Sequence, residues 1–290
     1  MSSQDRTGSR RAKVIPIAGL ALAGSLALSG CTAESKNGFL PSERNITNHT
    51  AGIIDLWVNS WITVLIVGLI TWSLMIWCII AYRRRKGATG YPRQTSYNLP
   101  LEVFYVLIPL FMVLVFFYFT DREVSSIETR NPNPDVKIDV RGKQWSWDFN
   151  YLQGNEVQAA VYDTGVQAQL NGKPFDKDKL PTLYLPVNRS VELALNSRDV
   201  IHSFWVPAFL DKKDMFPGKT NYMTFTPTAE GTYDGKCAEL CGEYHSEMLF
   251  RVKVVSEQEF QAHLASLKAK GQTGTLGADY DRNSAQLETK

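Results

Sequence analysis

Residues 58–86 read VNSWITVLIVGLITWSLMIWCIIAYRRRK, and the architecture follows from this stretch. No charged side chain occurs from Val58 to Tyr82. Coiled as a helix rising about 1.5 Å per residue, the run is long enough to cross a hydrocarbon layer of about 30 Å. Trp57, Trp61, Trp77 and Tyr82 stand toward its ends, where amphipathic rings favour the boundary between lipid and water. It stops at Arg83, Arg84, Arg85 and Lys86. The pattern predicts a first transmembrane helix over 57–82.

The basic loop that follows, 83–98, adds Arg93 and holds no acidic residue, which marks it as cytoplasmic. A second apolar run, Val103–Thr120, is interrupted by Pro109, a residue that frees a backbone carbonyl and kinks a helix. It predicts a second transmembrane helix over 99–120, with Glu102 as its only acid, at the cytoplasmic end. An acid in that position is either functional or simply hydrated at the interface. Everything after residue 120 then lies outside the cell. Upstream, Arg10, Arg11 and Lys13 precede the apolar run Val14–Gly30, which ends Leu28-Ser29-Gly30-Cys31. This reads as a signal peptide over 1–30, with an ordinary membrane anchor and an incidental cysteine as the other reading. A signal peptide exports segment 31–56, the same orientation that the basic loop gives.

Composition agrees. In 290 residues, 44% hydrophobic and 21% charged, the chain is neither disordered nor repetitive. The net charge of +2 hides a split, with 11 basic against five acidic residues in 1–120 and 20 against 24 in 121–290. No strongly basic domain remains to suggest nucleic acid as a partner, and four cysteines are too few for a disulfide-stapled scaffold.

After Asp121 short β-branched and alternating runs appear at Val136–Val140, Trp145–Tyr151, Leu183–Val187, Val191–Asn196, Tyr222–Thr226 and Met248–Val255, separated by Gly and Pro clusters. They predict an antiparallel sandwich or barrel within an exported domain over 121–270. Ser256-Glu257-Gln258-Glu259 opens a closing helix with Phe260, Leu264 and Leu267 on one face. Residues 163–179 read as a loop or insertion, and 271–290 as a disordered tail.

The chemistry concentrates in Cys237-Ala238-Glu239-Leu240-Cys241-Gly242-Glu243-Tyr244-His245-Ser246-Glu247-Met248, with a further imidazole at His202. Soft sulfur with imidazole selects copper, zinc or an iron–sulfur cluster over hard cations. A mononuclear blue-copper site uses one Cys, two His and a weak Met. Structural zinc leaves Met248 idle. Two cysteines in an exported domain also admit a plain disulfide. A pair of coppers gives every ligand a use: Cys237 and Cys241 bridging, His202 and His245 terminal, Met248 and the carbonyl of Glu239 as weak axial contacts. A shared electron would then disturb geometry little, which suits electron transfer. His49 and His263 lie near the membrane and on the closing helix, apart from this set, and Cys78 reads as an inert packing residue.

The pattern CxExCGxxHxxM, the upstream DVxHSFxVP segment at 199–207 and the two preceding helices resemble subunit II of the haem–copper cytochrome c oxidases over roughly residues 50–260. The resemblance implies a two-helix transmembrane hairpin followed by a cupredoxin-like Greek-key β-domain holding the dinuclear copper A centre, and the Leu-Ser-Gly-Cys stretch resembles the lipobox of bacterial lipoproteins, which implies lipidation of Cys31. It implies as partners oxidase subunit I and the other oxidase subunits, cytochrome c in soluble or complex-bound form, and membrane lipid, in a bacterial cell membrane. Trp145, in the Gly142–Phe149 stretch, matches the family's tryptophan where electrons arrive; the family usually carries tyrosine where Ser146 stands. Glu239 matches a side chain that helps bind magnesium at the subunit I interface, and Glu102 an acid at the mouth of a proton channel. The turn Asp214–Lys219 also matches, with Lys219 in place of the common arginine. The implied activity is electron uptake from cytochrome c and delivery to haem in subunit I, where oxygen is reduced to water and protons are translocated. No CxxCH sequence is present, so no fused cytochrome c is expected. The alternatives are a quinol oxidase subunit, which lacks these copper ligands, a membrane-tethered copper-binding or copper-delivery lipoprotein, and a structural lipoprotein stapled by Cys237–Cys241.

Overall fold

A computed structural model describes residues 32–84, 86–87, 89–91, 94, 96–153, 156–166 and 177–277. The predicted signal peptide, Cys31, Arg85, Arg93 and residues 278–290 of the predicted tail lie outside the described residues. Residues up to Leu40 form a unit of their own, with one helical turn at Ala33–Lys36.

Two long helices, α1 (Thr50–Ala81) and α2 (Leu99–Glu128), are long and apolar enough to cross a membrane. Their apolar side chains from Ile62 to Ile80 and from Val103 to Phe119 are largely bare, a surface that water does not tolerate but lipid or a partner subunit does. Both helices overrun the spans expected from apolar content. Helix α1 begins at Thr50, whose hydroxyl donates to the Arg44 and Thr47 carbonyls at 2.9 Å, and Ile54 is fully buried. Helix α2 continues from Thr120 to Glu128, so the exported domain's first residues, 121–128, are helical. Charge marks where hydrocarbon ends and says nothing of where a helix ends. The start of α2 is where the sequence places it, with Asn98 accepting from the Leu101 amide at 3.3 Å.

The exported part is a β-sandwich of two five-stranded sheets. One has the order β3-β2-β1-β5-β8 and the other β4-β10-β9-β6-β7. The strands are β1 (Val136–Lys143), β2 (Ser146–Gln153), β3 (Glu156–Thr164), β4 (Thr182–Pro186), β5 (Val191–Ser197), β6 (His202–Val206), β7 (Asp211–Met215), β8 (Asn221–Phe225), β9 (Gly231–Cys237) and β10 (Leu249–Val255). Alternation aims Ile138 and Val140, Leu193 and Leu195, and Phe250, Val252 and Val254 into the shared core around Trp147. The sheets are mixed rather than purely antiparallel, since β1 runs parallel to β5 and β4 parallel to β10. The chain visits the other sheet between the members of each parallel pair, through β4 between β1 and β5 and through β5 and β8 between β4 and β10, so these neighbours meet without a hairpin between them. Helix α3 (Glu257–Ala269) is capped by Ser256, which accepts from the Glu259 amide at 3.2 Å, and buries Phe260, Leu264 and Leu267 as its pattern predicts.

Two further expectations are corrected. Residues 163 and 164 close strand β3, and 177–179 form a short 3-10 turn, within the stretch read as a loop. Residues 271–277 are ordered. The Tyr162 amide donates to the Gln272 carbonyl at 3.1 Å and the Gly274 amide to the Ala160 carbonyl at 2.8 Å, so the chain adds itself to the edge of β3. Leu276 is buried beyond it. These bonds are made by backbone, and polar composition does not reveal them.

The helices are tied to the sandwich at both outer ends. The Asn48 amide donates to the Thr226 carbonyl at 3.0 Å, and Lys213 pairs with Glu128. Arg130 grips Glu192 with two bonds of 2.9 Å while lying over the Tyr222 ring.

Candidate metal centre

Strands β6 and β9 pair antiparallel with Phe204 opposite Cys237. That register carries His202, at the start of β6, to the side of Cys237, at the end of β9. The Cys237 amide donates to the Met248 carbonyl at 3.0 Å, closing the loop between β9 and β10 so that its ends meet. His245 and Met248 return on the single 3-10 turn His245–Glu247.

The side chains converge. Cys237 Sγ and Cys241 Sγ are 3.8 Å apart, too far for a disulfide bond of about 2.05 Å, and both thiols are free. His202 Nδ1 is 3.8 Å from Cys237 Sγ, and His245 Nδ1 is 3.5 Å from Cys241 Sγ. Met248 Sδ is 3.7 Å from Cys241 Sγ, and the Glu239 carbonyl oxygen 3.2 Å from Cys237 Sγ. Among the described residues the Nδ1 of His202 and the two sulfurs lie within 4.8 Å of one another, close enough to hold one ion in common. Every ligand expected from the sequence is therefore in one place. The fit to soft metal is direct. A metal–sulfur bond of about 2.3 Å exceeds half the 3.8 Å separation, so an ion touching both sulfurs sits beside the line joining them, and each sulfur has its own imidazole. Zinc in a tetrahedral Cys₂His₂ shell would make no use of the Met248 sulfur, which lies buried 3.7 Å from Cys241 Sγ.

Hydrogen bonding from the neighbouring thiol, working against burial, pulls Cys237 well below the ordinary thiol range, while the hydrogen bond to Cys237 drives Cys241 up, reinforced by burial and by the repulsion of a second anion beside the first. A bound cation removes that repulsion.

Residues that sequence reasoning left without a role hold the ligands. Asp199 Oδ1 accepts from His202 Nε2 at 2.8 Å, leaving Nδ1 for the sulfur side. Its other oxygen accepts from the Gln144 amide at 2.8 Å. Burial pushes the Asp199 carboxyl up, but hydrogen bonds from His202, Gln144 and Val200 outweigh it and hold the group at about 2. Gln144 Nε2 and Trp145 Nε1 donate to the Cys241 carbonyl at 2.8 and 3.1 Å. The half-buried indole of Trp145 also meets the Tyr244 ring edge-on at 5.0 Å. Gly242 permits this approach: its φ is +120°, and an added Cβ would lie 3.1 Å from the indole. An aspartate three residues before a histidine has no spacing signature, so only the structure reveals its part.

The remaining expected residues lie elsewhere or face out. Glu239 is exposed, while its backbone carbonyl lies 3.2 Å from Cys237 Sγ. Ser146 is buried where Gly165 passes close, an added Cβ there falling 2.6 Å from its hydroxyl. Met215 is buried opposite His202, and the exposed Lys219 lies over Phe216. Glu102 sits in the first turn of α2 and accepts from the Asn98 amide at 3.1 Å, a helix-capping contact. His263 stacks on Tyr184 at 3.8 Å, away from the metal loop.

A family profile described as cytochrome C oxidase subunit II, periplasmic domain, matches residues 136–255. A curated relative from Streptomyces avermitilis, described as a probable cytochrome c oxidase subunit 2, is 41% identical, with 92% of this chain and 90% of the relative covered. The cytochrome c oxidase subunit 2 of Corynebacterium diphtheriae is 30% identical over 91% of this chain and 87% of its own length. Among solved structures, the periplasmic domain of subunit II of cytochrome oxidase of Bradyrhizobium japonicum is 32% identical, covers 48% of this chain and 97% of that one, and superposes with a TM-score of 0.42.

Proposed function

The chain belongs to the cytochrome c oxidase subunit II family, and from that premise we propose that it is the electron-accepting subunit of a respiratory oxidase, receiving electrons from cytochrome c at a dinuclear copper A centre. His202, Cys237, Cys241, His245 and Met248, with the carbonyl of Glu239, would hold the two coppers, and copper bound there would supply one-electron redox chemistry.

The residues around the centre divide the remaining work. The Trp145 indole is the point where electrons arrive, since its ring reaches toward the surface while its nitrogen is bonded to the carbonyl of a ligand residue. Asp199 fixes the tautomer of His202. Tight packing of Met248, Phe204 and Phe250 excludes water and resists geometric change. The exposed acids Asp234, Glu239 and Glu243 around the loop favour a basic donor, an attraction that salt screens. Electrons pass on to haem in subunit I, which reduces oxygen to water and pumps protons. The Glu239 carboxylate helps hold magnesium at that interface, and Glu102 stands at a proton-channel mouth on the cytoplasmic side. The helices anchor the chain in a bacterial cell membrane through a multi-pass arrangement, both outer ends extracytoplasmic and Cys31 lipidated.

The observation that carries this reading is the pair of reduced sulfurs 3.8 Å apart, each with its own imidazole. In the isolated oxidase assembly, His202→Ala and Cys241→Ser should each abolish the near-infrared copper band and cytochrome c oxidation together. Activity surviving either change refutes the assignment. A copper-loaded chain that never copurifies with a haem subunit would favour copper delivery instead.

A further inference from the structure

Between the outer halves of α1 and α2 lies a groove of about 700 Å³ that neither metal ligation nor electron uptake requires. Spacing by three and four residues puts Gly52, Asp55, Asn59, Ser60 and Thr63 on one face of α1. Phe111, Val115, Phe119 and Arg122 form the opposite wall on α2. At the top the helices come close, since an added Cβ on Gly52 would fall 2.2 Å from the Glu123 carboxylate.

The groove changes from polar to apolar along its depth. Its mouth carries both signs of charge: Arg122 donates to Glu123 at 3.0 Å, and Asp55 accepts from Arg44 at 2.6 Å. The Arg122 and Asp55 side chains are each more than half exposed there. One turn below Asp55, inside the uncharged run, the Asn59 amide lines the groove. Further in, the hydroxyls turn back on their own helix, Ser60 donating to the Leu56 carbonyl at 2.6 Å and Thr63 to the Asn59 carbonyl at 2.9 Å. What they leave for an occupant is methyl and methylene surface, and the facing wall of Phe111, Val115 and Phe119 is hydrocarbon throughout.

Its depth matches one leaflet. The helical rise from Asp55 to Thr63 is about 12 Å and from Asp121 to Phe111 about 15 Å, against half of a hydrocarbon layer of about 30 Å. A partner helix about 10 Å across would fill roughly 1,200 Å³ over that depth, more than the groove holds. A single lipid chain is thin enough to enter.

We propose that this groove binds one outer-leaflet phospholipid with an amine headgroup, its acyl chain against Phe111, Val115 and Phe119, its phosphate at Arg122 and its ammonium at Asp55. The Asn59 amide donates to an ester carbonyl at the depth between headgroup and chain. A headgroup that carries a cation and an anion side by side complements a mouth with the same pairing, whereas an isoprenoid quinone offers neither charge. The inference rests on α1 and α2 crossing the membrane, as proposed above, and is independent of the metal.

The test is native mass spectrometry of the full-length chain in detergent, stripped of lipid and titrated with phosphatidylethanolamine, phosphatidylglycerol and diacylglycerol of the same acyl chains, and with an isoprenoid quinone. Phosphatidylethanolamine should bind tightest. Arg122→Gln should weaken its binding about threefold to tenfold and Arg122→Lys less than about twofold. Asp55→Asn should remove the preference over phosphatidylglycerol. Val115→Trp, which fills the groove, should cost more than about tenfold. Leu65→Trp, at a bare position about 200° around α1 from Thr63, should stay within about twofold of the parent. Equal affinity for phosphatidylethanolamine and diacylglycerol, tighter binding of the quinone, or equal losses from Val115→Trp and Leu65→Trp overturns the proposal. Should Val115→Trp fail to fold, an Arg122→Gln chain that binds every lipid as the parent does overturns it. A parent chain that stays dispersed without detergent would instead refute the membrane reading itself, a distinguishable failure.

Discussion

Replacing Asp199 by alanine isolates the support of the centre from its ligands. The carboxylate accepts from His202 Nε2, the Gln144 amide and the Val200 amide, each at 2.8 Å, and is only 11% exposed. Alanine removes all three acceptors. The buried His202 donor and the half-buried Gln144 amide each lose a bond whose absence costs about 1–3 kcal/mol, while Val200 is exposed to water that can replace it. The metal-free protein should therefore lose roughly 2–6 kcal/mol of stability. Freed of its partner, the imidazole can take the wrong tautomer or rotate, and losses of this kind cost about 10–100-fold in metal affinity, or about 1.4–2.8 kcal/mol. Asparagine keeps an oxygen that can accept from His202 and should lose much less copper affinity. Chelator competition for copper, read at the near-infrared band, measures the affinity of the parent and both variants. An Asp199→Ala protein that binds copper within twofold of the parent would refute the role given to this contact.

Trp145→Phe should leave copper content unchanged and slow electron uptake from cytochrome c, because the ring persists but its bond to the Cys241 carbonyl is lost; stopped-flow reduction checks it, and unchanged rates would remove the indole from the route. Gly242→Ala introduces strain at φ +120° and a Cβ 3.1 Å from the indole, so a loss of about 1–3 kcal/mol in denaturant unfolding should accompany slower uptake. Phe250→Ala should cost about 3–5 kcal/mol, since this fully buried ring contacts Trp147, Phe149 and Phe204. In the metal-free protein Asp199 is held near 2, below its unfolded value near 3.9, so its contribution of about 2 kcal/mol is complete above pH ~4 and disappears as pH falls toward 2. Acid unfolding of parent and Asp199→Asn should converge across that window; parallel curves would contradict the assignment.

The two apolar helices and the cluster of sulfur and imidazole side chains were legible because each rests on residue chemistry that tertiary context does not alter. Uncharged runs bounded by Arg83–Lys86 have few fates, and two thiols, two imidazoles and a thioether restrict the choice of metal. Strands β1, β5 and β10 announced themselves through alternating apolar residues. Strand β7 did not, because Asp211-Lys212-Lys213-Asp214-Met215 is a charged edge strand without apolar alternation, and its place is set by pairing with β6. The strap at 271–277 is held by main-chain bonds and one buried leucine, which composition cannot register. The supports of the site escaped for a related reason. Asp199 and Gln144 act through contacts that exist only once β1, β5 and the metal loop have been brought together, and no local pattern encodes that meeting.

The most direct test of the central claim is the metal content of the purified full-length chain, determined by elemental analysis together with electron paramagnetic resonance. Two coppers per chain, with one unpaired electron shared between both nuclei, are predicted. A single zinc, a lone copper, or a Cys237–Cys241 disulfide in that loop would contradict the account.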